Sequence, residues 1–210
     1  SALAEARAQP TPLPRSRRRV VVGAVVMVLS LAAIVVVAGA FVVDRPGAGS
    51  GVAGLKGDPS QYSNETLAAV IAANKDNPLI DGMRLALAER YFNQGDYQSA
   101  FPYYMDVASS DKASTDQVAT ALTRLGWMAY VGNGQVDAAL DLLRRARSLV
   151  PDDPFPLYME ALVTWCGKGD AASAAPSLKK VLDSPDLDPS IRDQIQSEYE
   201  QATAGAACSQ

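Results

Sequence analysis

The sequence predicts an all-α protein: one N-terminal transmembrane helix, then a soluble α-solenoid of about three helical hairpins with flanking capping helices. Three observations carry this. Residues 20–43 form a run of 24 residues without a charge, and Ser30 is its only polar side chain. Downstream, apolar residues recur at helical spacing on both sides of a glycine turn. That arrangement then returns: glycines 95, 134 and 169 are spaced 39 and 35 apart, as are alanines 100, 139 and 174. A fixed period of this kind marks stacked units, each unable to bury its apolar face alone.

The run VVVGAVVMVLSLAAIVVVAGAFVV comes first. At about 1.5 Å per residue it makes roughly 36 Å of helix, enough to cross a hydrocarbon core of about 30 Å. A lone span in lipid must satisfy its own backbone, which selects a helix. A cleaved signal peptide is the competing reading, with Ala38-Gly39-Ala40 imitating a cleavage site, but its apolar core would normally end sooner. No cysteine follows the run closely, so a lipoprotein anchor is unsupported. Arg15, Arg17, Arg18 and Arg19 precede the span, which places residues 1–19 in the cytoplasm as a basic tail and the remainder outside it.

The net charge of −4 conceals a division. Residues 1–19 hold five of the nineteen basic and one of the twenty-three acidic residues, for +4, and the remainder carries −8. An acidic ectodomain excludes nucleic acid as the expected partner, because phosphate contacts need clustered Lys and Arg. Residues 44–62, rich in Gly, Pro and Ser, read as a flexible linker. The repeat domain then occupies residues 63–204, with a tail at 205–210.

Ser63 is the expected N-cap of a first helix, which ends at Asn74-Lys75-Asp76-Asn77-Pro78. In the first hairpin, Leu85, Leu87, Ala88, Tyr91 and Phe92 lead into Gly95-Asp96, and Tyr97, Ala100, Phe101, Tyr104 and Val107 come after it. The second hairpin spans 122–154 and the third 156–186; the polar SSDKAST at 109–115 lengthens the first interval. SAFP (99–102) and SAAP (173–176) place Pro at one offset, removing a helical hydrogen bond from both second helices. The polar helix near 188–204 caps the stack.

These offsets resemble the tetratricopeptide repeat, a 34-residue helix-turn-helix unit. The first copy matches at Leu87, Ala88, Tyr91, Gly95, Asp96, Tyr97, Ala100 and Tyr104. The second matches at Leu125, Gly126, Ala139, Leu143, Ala146 and Pro151, but its turn departs by one residue and Ala129 stands where Tyr is usual. The third is weaker, with Trp165 in that Tyr place. More narrowly, the basic tail, single span, tether and RLALAERYFNQGDYQSA resemble the membrane-anchored tetratricopeptide proteins of cytochrome c-type biogenesis (the CcmH/CcmI type). The Ala, Val, Arg and Asp content is similar to that of actinobacterial membrane proteins. The resemblance implies an extracytoplasmic domain holding apocytochrome c, or assembly partners, for haem ligation.

The repeat resemblance also implies a partner groove on the concave face. Its offsets fall on Leu85, Glu89, Phe92 and Asn93 in the first copy. In the second they fall on Thr123, Trp127, Tyr130 and Val131, and in the third on Met159, Val163 and Cys166. Such a strip suits an amphipathic helix or an extended peptide; the competing expectation is that Trp127 and Tyr130 pack beneath the neighbouring repeat.

An enzyme is not expected. The chain has no histidine, which removes the usual general base and the commonest metal ligand. No Cys-x-x-Cys pair supports thiol exchange or covalent haem attachment, and no glycine-rich phosphate loop follows a strand. Asp152-Asp153 sits in a turn, where it caps a helix. No metal or cofactor is expected. Cys166 and Cys208 are either a disulfide closing the tail over the last repeat, or a small buried hydrophobe and a free tail thiol. The alternative function is an accessory or structural subunit of a respiratory membrane complex, with the span as a docking helix, although a span without Gly-x-x-x-Gly gives no specific sign of such docking.

Overall fold

The computed structural model describes residues 59–77 and 79–208. The transmembrane span at 20–43, the basic tail, most of the linker and Pro78 lie outside the described residues. Among the described residues the protein is all-α, and no helix there is long and apolar enough to cross a membrane.

After a 3-10 turn at Pro59–Gln61, helix α1 covers Asn64–Ala73. Ser63 caps it, its hydroxyl accepting from the Thr66 N–H at 3.2 Å. The first hairpin pairs α2 (Ile80–Asn93) with α3 (Tyr97–Ala108). The second pairs α4 (Thr115–Asn133) with α5 (Val136–Leu149), and the third pairs α6 (Pro154–Leu162) with α7 (Ala171–Leu182). Helix α8 covers Pro189–Thr203. Each helix packs on the next in order, and the first helices also meet, α2 against α4 and α4 against α6.

The three turns share one device. Gly95, Gly134 and Gly169 have φ of 75°, 65° and 71°, a left-handed conformation open mainly to glycine. In the first and third hairpins the next residue, an Asp, caps the second helix: Asp96 accepts from the Ser99 N–H and Asp170 from the Ser173 N–H. The expected period is therefore built into the backbone. Pro102 and Pro176 each occupy the sixth position of a twelve-residue helix, and both helices run through them.

Helix α4 is longer than expected. It begins at Thr115, seven residues before the expected 122, because Ser114 and Gln117 form a full capping box. The added turns bury Ala119 and Ala121. Gly126 marks a tight helix approach: a Cβ there would lie 2.9 Å from Leu143 Cγ and 3.1 Å from the Ala139 carbonyl oxygen. Glycine on α4 facing alanine on α5 lets two backbones come together where larger side chains would hold them apart. Helix α6 has its own irregularity. Its end widens into a π-type turn over Val163–Gly167, which carries Trp165 and Cys166.

The main core joins all three hairpins and α8, with Tyr104, Trp127, Leu143, Val163, Leu178 and Ile195 among its fully enclosed side chains. A smaller cluster of Leu67, Ile71, Ile80, Met83 and Leu87 fastens α1 onto α2.

Candidate interaction face

The residues expected to line the groove are mostly inside the protein. Leu85, Glu89, Phe92, Thr123, Trp127, Met159 and Val163 are buried. The expectation of an open apolar strip is corrected for these seven: the first helices sit so closely that the positions facing inward make core. Asn93, Tyr130, Val131 and Cys166 keep partial exposure. Asn93 Oδ1 is enclosed and has no hydrogen-bond partner. Thr123 turns its hydroxyl inward to the Ala119 carbonyl at 2.8 Å.

Glu89 is likewise not a partner contact. Both its oxygens accept from Arg124, Oε1 from Nε and Oε2 from Nη2, each at 2.8 Å. Tyr104 donates its hydroxyl to Oε1 at 2.7 Å. The Arg124 guanidinium lies 4.7 Å from the Phe92 ring centroid and 5.2 Å from that of Phe155. One bidentate pair thus ties α2 to α4, with an aromatic ring from the first hairpin and one from the third stacked on the cation. Burial alone would push the arginine toward neutrality; the adjoining Glu89 carboxylate and Tyr104 outweigh it and hold the guanidinium above its usual range. Tyr104 is raised well above a normal phenol, first by burial and then by the Glu89 charge.

Arg124 and Phe155 are not among the residues that the repeat offsets single out, and Tyr104 is a repeat-consensus position but not a groove one. A signal for the ion pair is nonetheless present: Glu89 and Arg124 each interrupt a helical apolar run, in LALAERYF and ALTRLGWM. A charge on the inner stripe of a helix requires an opposite charge on a neighbour.

A second polar cluster fixes α8. Tyr158 on α6 donates to Glu198 Oε1 at 3.1 Å, and the Gln194 amide donates to the same oxygen at 2.9 Å. Glu198 Oε2 is enclosed without a partner. Burial raises the Glu198 pKa, partly countered by the Gln194 and Tyr158 hydrogen bonds. The carboxylate is thus penalised in the fold but not in the open chain, so its favourable contribution is complete below the ordinary glutamate pKa. That contribution is lost as pH rises through the raised folded value. As pH is lowered from 7 to 5, the Tm of the protein should rise relative to that of Glu198→Gln. Parallel pH profiles for the two would refute this assignment.

An open cleft of about 440 Å³ lies where α1 ends beside α2 and α3, lined by Ile71, Lys75, Arg84, Asp106, Ser110, Asp111 and Lys112. None of the eleven groove residues lines it. Some of its charges are paired: Asp81 beneath it accepts from Arg84 Nη1 at 2.7 Å and from the Ser110 hydroxyl, and Asp106 lies 3.5 Å from Arg84 Nε, which makes no hydrogen bond. Among the described residues no group of His, Cys, Asp and Glu is arranged to hold a metal ion.

Taken together, the described residues define a protein of consecutively packed helical hairpins, held in register by a buried ion pair and closed at one end by a polar helix. No family model, curated protein or solved structure matches the chain.

Proposed function

We propose that the chain is a membrane-anchored, extracytoplasmic tetratricopeptide-type interaction module that assists c-type cytochrome maturation by holding apocytochrome or its assembly partners. The observation that carries the module reading is the thrice-repeated hairpin, with left-handed glycine turns and with first helices side by side. Stacks of this kind act by presenting an extended face to a partner. The cytochrome assignment rests on the resemblance of the tail, span, tether and first repeat. On this reading the usable face is narrower than the repeat offsets imply, and centres on Asn93, Tyr130 and Val131.

The test is capture from membranes in mild detergent with the intact chain and with an Asn93→Ala, Tyr130→Ser variant of normal Tm. The intact chain should retrieve apocytochrome c or its ligation machinery, and the variant should lose at least ten-fold of it. Equal recovery by both would remove the face. Retrieval of respiratory-complex subunits in a fixed ratio, insensitive to the variant, would replace the holder reading with that of a permanent accessory subunit.

A further inference from the structure

Helix α8 is attached to the rest of the protein by unusually little apolar surface. In PSIRDQIQSEYEQAT only Ile195 and Ala202 are buried hydrophobes, with Ile191 and Tyr199 half-covered beside them. The third buried residue of the helix is Glu198, with one carboxylate oxygen enclosed and unpartnered. An unpaired buried oxygen opposes docking, since undocking returns it to water. Yet the helix packs on α7, whose Leu178, Val181 and Leu182 belong to the main core.

The C-terminal tail adds a covalent hold to the hydrogen bonds from Tyr158 to Glu198 and from Arg192 to the Leu182 carbonyl. Gly205, at φ 68°, reverses the chain after the last turn of α8. The tail then runs back to the π-type turn at the end of α6. There Trp165 Nε1 donates to the Ala206 carbonyl at 2.9 Å, and Cys166 is joined to Cys208 in a disulfide with the Cα atoms 5.0 Å apart. The covalent tie therefore lies at the far end of the helix from its N-cap, Asp188. Both cysteines are partly buried at the edge of the core, neither fully enclosed.

We propose that the Cys166–Cys208 disulfide is a reducible latch on α8: oxidised, it holds the helix over α7; reduced, it lets helix and tail leave and uncovers the apolar end of the hairpin stack. The reductant is a dithiol. One of its thiolates attacks a sulfur of the bond, forming a mixed disulfide and freeing the other cysteine. Its second thiol then displaces the first cysteine, so the dithiol ends as a disulfide. The two cysteine thiols receive the two protons that the dithiol gave up.

Hydrogen exchange on the full chain, oxidised and after complete reduction with dithiothreitol, tests the latch. Reduction should accelerate amide exchange in residues 189–208 at least ten-fold and leave α1 to α5 unchanged. The Cys166→Ser, Cys208→Ser variant should show the same local acceleration with no reductant present. Unchanged exchange with both thiols titrated as free would overturn the proposal. So would acceleration spread evenly over all helices, which would make the bond a general brace.

Discussion

Arg124→Met is expected to lower the free energy of unfolding by about 3–5 kcal/mol, the usual cost of removing one partner of a buried ion pair. The cost does not come from the lost attraction alone. Glu89 would remain 6% exposed, with only the Tyr104 hydroxyl left to it among the groups that now hold it. The Phe92 and Phe155 rings would also lose the cation stacked on them. Adding Glu89→Gln to Arg124→Met removes the stranded carboxyl and leaves Tyr104 an acceptor. The double variant should therefore regain more than half of the loss. Urea unfolding of the two single variants and the double, read as a cycle, measures the coupling. A single-variant cost below about 1 kcal/mol would mean that water reaches the pair, as it does for surface salt bridges.

The pair also explains which parts of this protein could be read from its sequence. Turns were legible because a left-handed backbone position admits few residue types, so Gly95, Gly134 and Gly169 announce themselves. The small residues Gly126 and Ala139 were legible as repeat positions, and they lie where α4 and α5 approach too closely for a Cβ on Gly126. The early start of α4 was available too, in the Ser114 and Gln117 capping box, but the repeat pattern drew the boundary to 122. Burial of the groove was not legible. Offsets within a repeat say which face of a helix Trp127 or Met159 occupies; they do not say how near the next helix stands. The partnership of Glu89 and Arg124, 35 residues apart, is a tertiary fact that only the unease of a charge in an apolar run foreshadows. For Cys166 and Cys208 the sequence left two readings open, and the structure has the bonded one. Nothing local in VTWCG signals the π-type turn that brings Trp165 and Cys166 toward the tail.

The Trp127→Ala variant should lose about 3–5 kcal/mol of stability, the range for truncating a large buried aromatic. Trp127 is 1% exposed and packs edge-on to Tyr130, with ring centroids 5.6 Å apart. The indole lies on α4, in the middle hairpin, within the core that joins all three, so the void left by alanine could close only if whole hairpins shifted. For a domain of this size the loss corresponds to a fall in Tm of roughly 6–20 °C. Circular dichroism melts would show it directly. The same number bears on binding experiments: a Trp127→Ala protein that retrieves fewer partners has lost fold, and its failure says nothing about a groove. Tyr130→Ser, with its ring half-exposed, should cost much less. If instead Trp127→Ala melts within about 2 °C of the parent, a shift too small for a cavity of that kind, then the indole is not in the core and the wider groove implied by the repeat offsets returns.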